Sequence, residues 1–168
     1  MKKLFKAVIV SVLALALCAA CSSSNTEKTK PAVSLSVTVE PLSEDEYAQT
    51  DTSEIENAVP EDFSKITIEL NMENMVAGTE RTVKMQALKN IMAETEIGTY
   101  WYGNGSSQNN AEEDFTIVRS ESVIYRRDIS DDEIKNMFDG YEAAVSYTGA
   151  DGNVVEQSLP MTDAVQFK

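Results

Sequence analysis

Histidine is absent from the 168 residues. Without an imidazole there is no Ser-His-Asp or Cys-His nucleophile, no His-ligated zinc, no haem histidine and no histidine-based pH switch. Cysteine is scarce: the two copies, Cys18 and Cys21, stand three residues apart near the N-terminus. A cut between them leaves one, and that excludes a disulfide or a thiolate metal site in the remaining chain. Positive charge is also short, with 14 Lys+Arg against 28 Asp+Glu and a formal net charge of −14. A surface of that sign repels nucleic acid and anionic lipid headgroups, so no nucleic-acid partner is expected. Long hydrophobic runs are missing after Cys21, so nothing there has the length of a membrane span.

What is present begins with Met1, Lys2, Lys3 and Lys6, followed by Ala7 to Ala20, in which Ser11 is the only polar side chain. A span needs roughly 20 apolar residues, and this run stops after about 14, in Cys18-Ala19-Ala20-Cys21 and then Ser22-Ser23-Ser24. A cationic start, a short apolar stretch and small residues at its end describe a processed secretory leader. The segment Cys18-Ala19-Ala20-Cys21 resembles the lipobox of bacterial lipoprotein signal peptides, with Cys18 where that family usually has Leu. The resemblance implies a signal peptide over 1–20, cleavage after Ala20, diacylglyceryl lipidation of Cys21 and a lipid-anchored, extracytoplasmic protein. An ordinary secretory leader that happens to contain cysteines is the alternative. Two acyl chains, at about 0.8 kcal/mol per buried CH₂, hold a protein on a membrane stably where one does not. Residues 21–168 keep 11 Lys+Arg against all 28 acids, a charge of −17.

Residues 21–32 read as a lipidated tether, since Ser22 to Pro31 has no large apolar side chain with which to offset the entropy of ordering. The domain then spans 33–168. Val33, Leu35, Val37 and Val39 alternate with Ser34, Ser36 and Thr38, the pattern of a strand with one wet face. From Glu40 to Asp62 there are nine acids and no base. This acidic loop, 40–62, is expected to be a solvated, mobile connection, leaving the Val33 strand less firmly packed than the rest. A cation-binding or partner-docking arm is the functional alternative, although acids without fixed spacing do not make a calcium loop.

Period-2 alternation dominates afterwards. Ile66, Ile68, Leu70 and Met72 form one face of a strand, and Val83, Met85 and Ala87 form one face of another. Ile97, Thr99 and Trp101 share a face of a further segment, which should end in the turn-rich Gly103 to Asn110. Phe115–Ile117 and Val123–Tyr125 are two short runs. One helix is expected over Asp131–Phe138, with Ser130 and Glu133 as its capping box and Gly140 beyond its end. Tyr141 to Tyr147 and Val155 to Leu159 should then form a hairpin around Gly149 to Asn153, with Val165 and Phe167 as an edge. The fold class is therefore mainly β: an antiparallel immunoglobulin-like sandwich with one short helix. Asp139-Gly140-Tyr141-Glu142-Ala143 resembles the tyrosine corner of immunoglobulin-like domains, which implies that the Tyr141 hydroxyl closes the corner entering the next strand.

Chemistry-bearing motifs are few. No Ser has a Lys three residues later, and no Gly-x-Ser-x-Gly elbow occurs. Gly103-Asn104-Gly105 lacks the third glycine of a dinucleotide fingerprint and the Gly-Lys-Ser/Thr of a P-loop. The acids at Glu112-Glu113-Asp114 and Asp131-Asp132-Glu133 read as solvated surface, the second group also suiting a helix N-terminus. No Asp-x-Asp-x-Asp-Gly loop is present, and Asp151-Gly152-Asn153 is hairpin chemistry. Neither a metal nor a cofactor is expected. Tyr100, Trp101 and Tyr102, beside a Gly/Asn/Ser-rich stretch, are the candidate ligand contacts: Trp101 on the inward face, Tyr100 and Tyr102 toward solvent. The expectation is a non-catalytic binding or accessory lipoprotein, with the membrane and an envelope glycan or protein as partners. The alternatives are a carboxylate-dependent hydrolase of envelope glycans and an accessory subunit of an envelope transport complex.

Overall fold

The computed structural model describes residues 30–168. The expected leader, the expected lipidation site Cys21 and nearly all of the expected tether lie outside the described residues. Strand β1 (Ala32–Pro41) leads to a short helix, α1 (Glu44–Ala48), and then to β2 (Phe63–Glu73). β3 (Arg81–Lys84), α2 (Leu88–Thr95), β4 (Thr99–Gln108) and β5 (Thr116–Tyr125) follow. The chain closes with α3 (Asp131–Asn136), β6 (Glu142–Thr148), β7 (Val154–Pro160) and β8 (Val165–Phe167). The protein is mainly β. One sheet has the order β4-β5-β2-β1-β8 and the other the order β3-β6-β7; every neighbouring pair is antiparallel except β1 with β8. No helix among the described residues is long and apolar enough to cross a membrane.

β2 sets the frame because both of its faces are used. Ile66, Ile68, Leu70 and Met72 share one face and are fully buried, opposite Val39, Val37, Leu35 and Val33 of β1 in register. Leu70 and Met72 pack toward Ala143, Val145 and Tyr147 of the second sheet. Further along the same face, α2 and α3 insert Leu88, Ile91, Met92 and Ile134 against Ile66 and Ile68, joined by Met137 and Phe138. Full burial of each such side chain contributes roughly 1.5–3 kcal/mol. The opposite face of β2 carries Phe63, which packs with Val123 and Leu42 beneath Tyr47, Ile55 and Ala58.

That last cluster overturns the expectation of a mobile acidic loop. Residues 40–62 are folded, because four apolar side chains at uneven spacing anchor them to the sheet and two cations, Lys65 of β2 and Arg127 in the turn after Tyr125, meet their acids. Ser43 and Glu46 form a reciprocal capping box that starts α1. Lys65 Nζ lies 2.6 Å from Glu46 and 3.2 Å from Glu40, and Arg127 Nη2 lies 2.6 Å from Asp62. β1 is correspondingly firm, paired to β2 along its whole length with Val37 and Val39 buried.

Other expectations need correction. There are three α-helices among the described residues, not one. Val83, Met85 and Ala87 do not share a strand, since β3 ends at Lys84 and Ala87 caps α2. Phe115–Ile117 and Val123–Tyr125 belong to one stretch of chain whose strand, β5, runs unbroken from Thr116 to Tyr125. The Gly103–Asn110 stretch is not a loop: β4 continues through it to Gln108, paired to β5. The Tyr141 hydroxyl donates to the Glu94 carboxylate of α2 at 2.6 Å rather than closing the backbone corner. The β6–β7 hairpin over Gly149 to Asn153 and the β8 edge form as the pattern predicts.

Arg81, at the start of β3, ties the two sheets together. Its guanidinium is buried and donates to the carbonyls of Asn110, Ala111, Glu113 and Phe115 and to the Thr116 hydroxyl. The Arg81 carbonyl in turn accepts from Asn109 Nδ2. The turn that joins β4 to β5 is thus wrapped around a cation from the other sheet.

Candidate functional site

Helix α2 stops at Glu96, which adopts φ 58°, and the chain reverses at Gly98, φ 69°. A side chain at Gly98 would be strained by that φ, and its Cβ would sit 3.1 Å from the Tyr125 carbonyl. β4 then starts against the end of β5 with an irregularity. Tyr100 pairs with Ile124 and Tyr102 with Val123, so Trp101 is the extra residue of a β-bulge.

The bulge breaks the alternation on which the expected facing of the aromatics rested. Trp101 and Tyr102 both lie on the Phe63 side of the sheet, and Tyr100 lies on the other. The Trp101 ring is 5.8 Å from Phe63 and 6.4 Å from Tyr125, and its Nε1 donates to the Asp51 carbonyl at 2.9 Å. Trp101 is therefore half-buried beneath the acidic segment, outside the core between the sheets. Tyr100, expected toward solvent, packs against the main core with Lys89 Nζ 5.9 Å from its ring centre. Tyr102 alone is exposed as expected, at 44%, and its hydroxyl is 3.0 Å from the Thr50 hydroxyl.

These residues line an open recess of about 590 Å³ with Thr99, Gln49, Asp51 and Glu54. No Lys or Arg lines it. Hydrogen bonds from the Ser53 hydroxyl and N–H hold the Asp51 carboxyl below its usual range, so it is ionised at neutral pH. A general acid needs the opposite shift, produced by desolvation, and both carboxylates here are exposed. Ring faces beside uncompensated carboxylates instead suit a cationic side chain or a polyhydroxylated ring. Among the described residues no three Asp, Glu, Cys or His side chains converge as a metal-binding group.

Of the remaining acid clusters, Glu112 to Asp114 is tied in through its backbone, and Asp131 and Glu133 use their carboxylates structurally. Glu113 offers its carbonyl to Arg81, and the Asp114 carbonyl accepts from Met75 N–H. Asp131 pairs with Arg126 at 2.7 Å, and Glu133 caps its own helix. Gln49, Asp51 and Glu54 were not legible as site residues, because they belong to the stretch expected to be mobile. The signal that could have found them is the Ser43–Glu46 capping box, which marks a helix inside the acidic run. Comparison of the chain with protein-family models, with curated proteins and with solved structures finds no match in any of the three.

Proposed function

We propose that the chain is a lipid-anchored, extracytoplasmic binding protein with no catalytic role, attached through Cys21, whose ligand contacts centre on Trp101 and Tyr102. The observation that carries the binding reading is the recess itself: two aromatic rings and two exposed carboxylates, with no cation and no desolvated acid. The attachment rests on the lipobox resemblance at Cys18 to Cys21.

We also read the domain as an immunoglobulin-like sandwich. Placed in chain order, β4-β5-β2-β1 matches the D-E-B-A order of the constant-type sheet and β3-β6-β7 matches C-F-G. A tyrosine, Tyr141, directly precedes the strand in the F position, which supports the same reading even though its hydroxyl bonds Glu94. Sandwiches of this kind carry many functions, so the fold adds no ligand.

Two measurements test the proposal. Cys21→Ala should move the protein from the membrane fraction to the soluble one, and retention on the membrane would refute the anchor. Trp101 is the sole tryptophan, so emission of the purified Cys21→Ala chain should change saturably with one class among envelope glycans, basic peptides and Ca²⁺. A spectrum indifferent to all three would refute the recess as a binding site.

A further inference from the structure

Four strands end the two sheets, and three of them are guarded. β3 has four residues, two of them the cations Arg81 and Lys84; β8 has three; β7 carries Glu156 and ends at Pro160. Short length, charge and proline are the ordinary means of stopping a further strand from adding to an edge. β4 has none of these. It is ten residues long, and no charged residue or proline occurs from Gly98 to Ala111, in a chain that is 25% charged.

The outer side of β4 has no partner strand among the described residues, and its backbone hydrogen bonds go to β5. In an antiparallel edge strand alternate residues direct both N–H and C=O outward, so Tyr102 to Gln108 presents about three such pairs to solvent. All of Tyr102 to Gln108 is exposed. Gly103, Gly105, Ser106 and Ser107 are small, and Gly103 is required: a Cβ there would lie 2.5 Å from Ser122 Oγ and 2.6 Å from the Tyr100 hydroxyl. The edge is consequently thin, uncharged and open to the close approach of another backbone. Its Tyr102 end runs directly into the recess that holds Asp51 and Glu54.

We propose that β4 accepts an extended basic segment of a partner protein as an added strand, with one Lys or Arg of that segment seated in the recess against Asp51, Glu54 and the aromatic rings. This rests on the reading of the chain as a binding protein and adds the partner class and the mode of capture. Backbone pairing along β4 supplies sequence-tolerant affinity, and the recess supplies the preference for a cation. The net charge of −14 favours the approach of a basic chain and opposes that of a second copy of this one.

The test uses the ¹⁵N-labelled full chain in detergent micelles and the peptides Ac-KTVTVTS-NH₂ and Ac-ETVTVTS-NH₂. The lysine peptide should slow hydrogen exchange at alternate amides of Gly103 to Gln108 and shift the Trp101 indole signal. The glutamate peptide should bind about tenfold more weakly, as should the lysine peptide to Asp51→Asn/Glu54→Gln. Those two exposed substitutions leave the sheet intact. Methylating alternate peptide nitrogens should abolish the amide protection and needs no change in the protein.

A Trp101 shift without protection of β4 amides would overturn strand addition while leaving the recess a binding site. No response in either probe up to about 1 mM would overturn the proposal, since the ladder is its source of affinity. Protection of β4 that rises with protein concentration alone would make a second copy the occupant, which also overturns it.

Discussion

Arg81→Met removes the guanidinium that joins the sheets and keeps most of the apolar stem. Five acceptors lose a donor: the carbonyls of Asn110, Ala111, Glu113 and Phe115, and the Thr116 hydroxyl. None is a carboxylate, so each bond is that of a cation to a neutral acceptor, worth up to about 1.5–3 kcal/mol singly. Two effects reduce the total. Ala111 keeps the N–H of Gly78 and Asn110 that of Glu113, and the other turn carbonyls regain water once the turn loosens. Arg81 Nε is also buried without a partner, and removing it relieves a cost of about 1–3 kcal/mol. A net loss of about 2–4 kcal/mol follows, which for a domain of this size lowers Tm by roughly 6–12 °C. Urea unfolding should give the loss directly. Hydrogen exchange should quicken first at Asn109 to Thr116 and at the adjoining end of β4. Arg81→Lys should recover less than half of the loss, because one ammonium cannot reach five acceptors spread over the turn. A loss below about 1 kcal/mol, or uniform exchange with no focus on this turn, would refute the account of Arg81 as the pin of the β4–β5 connection.

Ser43→Ala removes the cap of α1 and should cost about 1 kcal/mol in urea unfolding, and because α1 covers Phe63 it should also red-shift Trp101 emission. Acid should unfold this side of the sheet. The Lys65 ammonium, helped by the Ser43 N–H and hydroxyl, brings the Glu46 carboxyl down to about 2, and the Arg127 guanidinium holds Asp62 below its usual range. Both folded values lie below the unfolded ones, so their contribution is complete above the ordinary values of 4.5 and 3.8 and is lost as pH falls through the folded values. Urea midpoints should thus decline below about pH 4.5, with Asp62→Asn flattening the lower part of the decline. Gly103→Ala should cost about 1–3 kcal/mol, since its Cβ falls 2.5 Å from Ser122 Oγ and 2.7 Å from the Glu121 carbonyl. Gly105→Ala meets its nearest atom only at 3.3 Å and should cost under about 1 kcal/mol by the same thermal assay.

Where one face of an element is dry and the other wet, the residues announce it. β1 and the Ile68 to Met72 half of β2 alternate as their burial does, and α3 carries a cap at Ser130 and an apolar stripe through Ile134. β4 was hidden for a different reason. Gly103 to Ser107 has poor strand propensity, and it pairs because β5, firmly held by β2, offers ten residues of ladder. α2 gave no start signal, since Ala87 at its N-cap makes no side-chain bond, and its apolar Leu88, Ile91 and Met92 follow directly on an apparent alternation. The aromatic residues were legible and their facing was not. One inserted residue at Trp101 put two neighbours on the same face, and no local pattern marks a bulge of that kind.

The distribution of charge in residues 40–62 follows from what lies under them. Leu42, Tyr47, Ile55 and Ala58 reach the Phe63 cluster, and between these anchors the backbone must lift away from the sheet. The cations that meet acids of the segment are Lys65, with Glu40 and Glu46, Lys168, with Glu40, and Arg127, with Asp62 near its end. Arg127 also donates to the Glu56 and Asn57 carbonyls, but none of the three forms an ion pair with the stretch around Asp51, whose carbonyl accepts from Trp101 of β4. Asp51 and Glu54 are left there, and among the acids of the segment without an ion pair they alone line a recess that no cation lines. Self-repulsion in a chain of charge −14 disfavours leaving two carboxylates together beside aromatic rings. Their siting is explained by folding only as far as the anchors require it. The Trp101 bond to the Asp51 carbonyl fixes the backbone of the recess, and the Ser53 N–H holds the Asp51 carboxylate, so that among the described residues both acids are positioned at the recess without a cation lining it.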